Sequence, residues 1–376
     1  MARPLSIAII GAGMGGLAAG AALRRVGIDV TVYEQAAQFF RLGAGIQIGC
    51  NAMNVLRGLG LESRLRATSF YPRSWNNRDW RTGQVKFDMI FGESAEQKFG
   101  APYLLAHRGD LHAALASAVP GECVKLSHKL IGLDETSDGV RVAFANGATA
   151  VVDAVIGADG VHSIVREILF SASPVHFTGR IAYRTTYPAA LLGGQKIDDC
   201  TKWWGEDRHI VIYYVRPDRS EIYLVTSQPE TDFRIESWSA KGDVGELRSS
   251  FRGFDSQVQA VLAACPDVHK WAIVDRESLA RWADRNVTLL GDACHPMTPY
   301  MAQGAAMAIE DAAVLSRCLE GVERDGVANA FRRFEATRRD RTARIQQTSR
   351  TNTWLSGKTD ADWVYAYDAW TTPLAA

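Results

Sequence analysis

The opening stretch LSIAIIGAGMGGLAAGAALRRVGIDVTVYEQ restricts the fold more than any other part of the chain. SIAII is an uninterrupted apolar run, suited to a strand buried on both faces of a parallel sheet. Gly11, Gly13 and Gly16 follow as G-x-G-x-x-G. Small and apolar residues from Gly15 to Val26 then fit a helix packed on that sheet, Gly27 ends it, and DVTVYE reads as a second strand. The first glycine permits a tight turn, the second lets the backbone approach a pyrophosphate, and the third lets helix pack on strand. The helix N-terminus then faces the anion. Glu34 closes the second strand about 20 residues beyond the glycines, where an acid receives a ribose hydroxyl pair. The pattern alone leaves open whether the dinucleotide is FAD or NAD.

Two later stretches, DAVIGADG and NVTLLGDACHP, read as further buried parallel strands. HRGDLHAALASAV is helical, with Arg108 just before it and Asp110 as its expected N-cap. FYPRSWNNRDWRTGQVKFDMI is aromatic, polar and turn-rich, the strands of another sheet, and IAYRTTYP, TKWW, HIVIYYVR and EIYLVTSQ extend that character. ELRSSFRGFDSQVQAVLAAC and GAAMAIEDAAVLSRCLE are helical. The stretch from GVANAF to TNTWL is a long basic amphipathic helix whose arginines read as a solvated face or subunit contact. The expected class is α/β, a Rossmann-type dinucleotide-binding domain with an inserted, mostly β substrate domain and a C-terminal helical segment. Residues 1–70, 101–175 and 276–376 are assigned to the first and residues 71–100 and 176–275 to the second.

The 42 basic residues balance the 42 acidic ones, so no electrostatic footprint for nucleic acid or an anionic membrane is present, and small-molecule work is expected. The cysteines, Cys50, Cys123, Cys200, Cys265, Cys294 and Cys318, form neither a C-x-x-C pair nor a recurring spacing. They predict reduced thiols, a cytoplasmic protein and no metal site. No apolar run approaches a membrane span, and the first strand starts too early for a signal peptide. A monomer or homodimer is expected.

GADGVHSIVR (157–166) and LLGDACHPMTPYMAQGAAMAIEDA (289–312) settle the cofactor. With the N-terminal glycines and Arg108 they resemble, in order and spacing, the fingerprints of single-component FAD-dependent aromatic hydroxylases, the class typified by p-hydroxybenzoate hydroxylase. The resemblance implies that Gly11, Gly13, Gly16 and Glu34 hold the ADP part of FAD, with Arg41 also on the cofactor. It implies further that Arg108 and Asp159 contact the middle of FAD and that Asp292 binds the ribityl and pyrophosphate region. Gly304 and Ala305 begin a helix whose free N–H groups would face the flavin N1–C2=O edge, where negative charge develops on reduction. The resemblance also implies that Pro299 lies near the flavin's oxygen-reactive edge. A second G-x-G-x-x-G and a redox C-x-x-C, expected of a disulfide reductase, are both missing from the sequence. The resemblance implies NADH or NADPH as a transient donor and O2 as the co-substrate, with a flavin C4a-hydroperoxide delivering oxygen to an electron-rich ring.

Outside these motifs, RLGAGIQIGCNAM, KWWGEDRHIVIYY and NTWL resemble the 6-hydroxynicotinate 3-monooxygenases, which hydroxylate a pyridine carbon with loss of its carboxylate. His209 and Tyr213, four residues apart on one strand, share a face with Val211 between them. On residue type alone they suit either sheet packing or a phenolate-binding wall. The resemblance implies the wall, with Gln47, Cys200 and Tyr300 also meeting the substrate and Gln47 and Pro299 joining His209 and Tyr213 in catalysis. The resembled enzymes carry histidines at Gln47 and Tyr300. Glutamine hydrogen-bonds a ring nitrogen, oxygen or carboxylate but relays no proton near neutral pH. A hydroxypyridine carboxylate is therefore the expected substrate, hydroxylated with or without decarboxylation. Hydroxypicolinate and hydroxybenzoate or salicylate are alternatives. Two readings of other classes are a non-catalytic flavin-binding regulator and a flavin-independent NAD dehydrogenase.

Overall fold

The computed structural model describes residues 3–39, 44–171, 174–231 and 240–376. The N-terminal stretch folds as strand Ser6–Ile10, helix Met14–Arg25 and strand Asp29–Tyr33. Ser6–Ile10 is flanked in parallel by Asp29–Tyr33 and by Ala154–Gly157, and Val287–Leu289 lies parallel beyond the latter. The three apolar strands legible in sequence thus stand side by side in a six-stranded sheet of α/β type. Their side chains are buried because helices cover the sheet, which is why the runs are continuous rather than alternating. Helix Gly304–Leu319 packs against Met14–Arg25. Gly15 makes that approach possible, since a Cβ there would stand 2.6 Å from Leu290 and 3.0 Å from Ala308.

The aromatic, alternating stretches build a seven-stranded sheet. Its order is His269–Asp275, His176–Pro188, Glu221–Pro229, His209–Tyr214, Cys200–Trp204, Ser74–Asp79, Val85–Ile90. The pairs are antiparallel except Cys200–Trp204 with Ser74–Asp79, which run parallel.

Several local expectations are corrected. Asp110 does not cap its helix, which begins at Arg108 with His107 as N-cap, the His107 Nδ1 accepting the Gly109 N–H at 3.0 Å. Asp110 lies in the first turn and pairs with Arg216 at 2.7 Å. The stretch read as one helix near residue 250 is two, Val244–Ser250 and Ser256–Ala264. Gly253, at φ +87°, turns the chain between them, and Asp255 caps the second through the Gln257 N–H. A helix absent from the sequence reading, Gly92–Phe99, stops at Gly100 in the left-handed conformation.

The long basic helix Val327–Arg350 is not solvated on all its arginines. Arg338 is fully buried, pairing with Glu310 at 2.7 Å and Asp311 at 2.7 Å, and Arg341 binds Glu310 at 2.8 Å. Among the described residues, no helix is long and apolar enough to cross a membrane.

Candidate active site

The glycine turn shows three different requirements. Gly11 has φ +105°, and a Cβ on it would lie 2.4 Å from the Ala158 carbonyl oxygen. At Gly16 a Cβ would come within 1.9 Å of the Gly11 oxygen. Gly13 is the opposite case: a Cβ there would meet no protein atom within 4 Å, yet Gly13 lines a large cavity. Only the approach of something bound calls for glycine at that position. Glu34 stands beside the turn, its two carboxylate oxygens accepting the Ala12 and Ala36 N–H groups, each at 2.8 Å. Arg41 lies outside the described residues.

The cavity has a volume of about 550 Å³, and both halves of the fold contribute to it. From the six-stranded side come Gly13, Arg108, Asp292, Pro299, Gly304 and Ala305. Asp292 opens onto the cavity while surrounded by protein. Burial raises the affinity of its carboxyl for a proton, against the charges of His295 and Arg108. Gly304 begins a 16-residue helix whose N-cap, Gln303, supplies no side-chain hydrogen bond, so its first N–H groups are available at the cavity. Asp159 does not line the cavity. Its carboxylate accepts from Ser163 Oγ at 2.5 Å and from the Ile164 and Val165 N–H groups, which holds the following helix in place. An open glycine, a carboxylate, a guanidinium and a helix N-terminus around one cavity fit the phosphates, polyol and ring edge of FAD.

The other wall is one face of the seven-stranded sheet. In the register, Cys200 faces Tyr213, Lys202 faces Val211 and Trp204 faces His209, while His209, Val211 and Tyr213 face Ser227, Val225 and Tyr223 on the other side. Directly opposed residues share a face. His209, Val211 and Tyr213 all line the cavity. His209 packs edge-on to Tyr300, centroids 5.7 Å apart, and Tyr300 shares a hydrogen bond with Ser227 Oγ at 3.1 Å. Burial, then the cations of Lys202 and Arg180, push the His209 pKa well below the ordinary range, so the imidazole is neutral. Cys200, expected to meet the substrate, is instead buried and outside the cavity lining, its thiol pKa raised by burial.

Gln47 has a defined task. Its Oε1 accepts the hydroxyl of Tyr103 at 2.5 Å, and Tyr213 lies within hydrogen-bonding reach of the same side chain. With Oε1 committed to Tyr103, the amide nitrogen is the group left to donate to Tyr213. The Tyr213 proton is then free to point into the cavity. Sequence reasoning missed Tyr103, which sits on the loop before Leu104–His107, and Lys202, whose only signal was a lysine inside an aromatic strand.

A family model described as FAD binding domain matches residues 5–349. The chain is similar to 6-hydroxynicotinate 3-monooxygenase of Bordetella bronchiseptica, 43% identical over 98% of this chain and 96% of that protein. It is also similar to the enzyme of the same name from Pseudomonas fluorescens, 40% identical over 100% of this chain and 98% of that one. Among solved structures, Klebsiella pneumoniae HpxO complexed with FAD and uric acid superposes with a TM-score of 0.83 at 26% identity, covering 96% of this chain and 91% of that chain. The chain belongs to the FAD binding domain family, as one of its flavin-dependent aromatic monooxygenases.

Proposed function

We propose that this enzyme hydroxylates a hydroxylated pyridine carboxylate of the 6-hydroxynicotinate type, with the ring held between the His209–Tyr213 wall and FAD. The observation that carries this reading is the shared cavity: His209, Val211 and Tyr213 line the same space as Gly13, Asp292 and Gly304. Residues 1–70, 101–175 and 276–376 serve the cofactor in this reading, and residues 71–100 and 176–275 the substrate. The relatives from Bordetella and Pseudomonas, named for 6-hydroxynicotinate, support the substrate class.

When bound and reduced by NADH or NADPH, FAD supplies the oxygen-transfer chemistry with O2. The chain's own residues do the rest. Neutral His209 accepts the proton of a ring hydroxyl, which makes the ring electron-rich. Tyr213, held from behind by Gln47, donates a hydrogen bond to the ring substituents. Val211, Val225 and Trp75 keep water from the reacting carbon. Asp292, Arg108, Gly13 and the N-terminus at Gly304 and Ala305 hold the cofactor, with Glu34, Gly11, Gly16 and Asp159 fixing the loops that carry these groups. Pro299 lines the cavity beside Tyr300. Loss of the ring carboxylate as CO2 accompanies hydroxylation when the attacked carbon bears it. The setting is a cytoplasmic monomer or homodimer.

The test is a panel of hydroxynicotinates, hydroxypicolinates and hydroxybenzoates assayed for stimulated NADH or NADPH oxidation, product mass, CO2 and peroxide. A pyridine acid giving stoichiometric hydroxylated product is expected. Retained FAD with no stimulated turnover across the panel overturns the reading in favour of a flavin-binding regulator. Preference for a hydroxybenzoate overturns the pyridine assignment alone.

A further inference from the structure

Lys202 stands at the centre of strand Cys200–Trp204, opposite Val211 on one neighbouring strand and Asn77 on the other. It therefore emerges on the face that carries His209 and Tyr213. It is 1% exposed and lines the cavity. Among the described residues, no carboxylate or hydrogen-bond acceptor answers its ammonium. Its charge rests on the Trp204 ring, 3.8 Å from the centroid.

A buried ammonium without an anion is destabilising, and chains rarely keep one without use. Asp292 is the one acid among the described residues lining the cavity, and the charges of Arg108 and His295 already act on it. The missing anion has to arrive with a ligand.

We propose that Lys202 is the anchor for the carboxylate of an aromatic acid, forming an ion pair with it on the wall where His209 and Tyr213 flank Val211. The assignment rests on reading this cavity as the aromatic-substrate pocket. It fixes which edge of the ring faces the strand and so which carbons are turned toward the cofactor. It also couples binding to chemistry. Lys202 and Arg180 are the two cations that depress the proton affinity of His209. An anion on Lys202 cancels one of them, so His209 becomes a better base when the acid is in place.

The experiment titrates the FAD-loaded wild type, Lys202→Met, Lys202→Gln and Lys202→Arg by calorimetry and flavin absorption. The probes are 6-hydroxynicotinate against 6-hydroxynicotinamide and 3-hydroxybenzoate against 3-hydroxybenzamide. The wild type is expected to favour at least one acid over its amide by roughly 10- to 100-fold, the range of a charged hydrogen bond. Lys202→Met and Lys202→Gln lose that ratio and Lys202→Arg keeps much of it, with FAD content unchanged throughout. A wild type without the preference, or an uncharged variant that retains it, overturns the anchor. An acid that binds with the expected ratio but is never hydroxylated defeats the functional reading and leaves the anchor standing. Hydroxylation with an unchanged ratio in Lys202→Met does the reverse.

Discussion

The Tyr103 hydroxyl donates to Gln47 Oε1 over 2.5 Å, and this bond decides what Gln47 can offer to Tyr213. Tyr103 is fully buried, so its hydroxyl has no water to exchange for the glutamine. Removing it with Tyr103→Phe frees the Gln47 amide to flip and present its oxygen to Tyr213, whose proton then turns inward. The expected result is a fall in hydroxylation of roughly 10-fold, of the order of one neutral hydrogen bond, with FAD content unchanged. A matched rise in peroxide per NADH oxidised, read by coupled assay, marks a loosened substrate. Full coupling in the variant shows that Gln47 is held by other contacts.

Gly13 and Gly16 separate cofactor approach from folding. A methyl at Gly13 touches no protein atom, whereas one at Gly16 would sit 1.9 Å from the Gly11 oxygen. Gly13→Ala is therefore expected to leave the stability of the FAD-free protein within about 0.5 kcal/mol while lowering FAD affinity. Gly16→Ala is expected to lower stability and flavin content together. Thermal melting of FAD-stripped protein and flavin-to-protein absorbance ratios distinguish the two.

His209 and Asp292 line the same cavity from different halves of the fold. His209→Ala should retain FAD and lose most hydroxylation, by roughly 10²- to 10⁴-fold for a proton acceptor. Asp292→Ala should lose FAD on gel filtration. Full-rate hydroxylation by His209→Ala removes the histidine from the chemistry.

Burial brings the Lys202 pKa down from 10.5 to about 7, with Arg180 adding to the effect. The unfolded chain then binds a proton that the folded chain lacks between these values, so stability rises with pH across that window. The destabilisation is full below about pH 7, where the ammonium is charged in both states, and disappears above about 10.5. Lys202→Met is accordingly expected to be more stable than wild type by about 1–4 kcal/mol near pH 6, with the gain shrinking toward pH 10. Urea unfolding at several pH values reads this directly. A methionine variant less stable than wild type at pH 6 contradicts it.

Arg338 joins Glu310 and Asp311 deep between two helices, and Asp311 also binds His295 at 2.7 Å and the Gly291 N–H at 3.1 Å. Arg338→Met leaves buried carboxylates short of a cation and should cost about 3–5 kcal/mol. Because Asp311 holds the loop that carries Asp292, FAD retention should fall as well. Denaturant midpoints and flavin content measure both.

The cofactor half was legible because its signals are local. A buried strand, three glycines and a closing acid occur in one short stretch, and the pairing partners of Ser6–Ile10 announce themselves as apolar runs. The period of two likewise places His209, Val211 and Tyr213 on one face. What was not legible depends on long-range register. Lys202 becomes a cavity residue only because it faces Val211 and Asn77, and Tyr103 reaches Gln47 from 56 positions away. Asp110 was assigned as a cap from residue preference, but His107 already held that corner through Nδ1. The arginines of the long helix looked solvated because their partners, Glu310 and Asp311, are carried by the preceding helix.

The seven-stranded wall draws its cavity lining from strands at 74–79, 176–188, 200–204, 209–214, 221–229 and 269–275, while the cradle around Gly13 and Asp292 comes from elsewhere in the chain. In the proposed reading, ring preference and redox machinery are written in separable stretches of sequence. A lineage can drift from one aromatic acid to another through strand substitutions that leave oxygen activation untouched. A mutational library restricted to the cavity-facing positions of residues 200–227 samples new substrates on the same flavin scaffold.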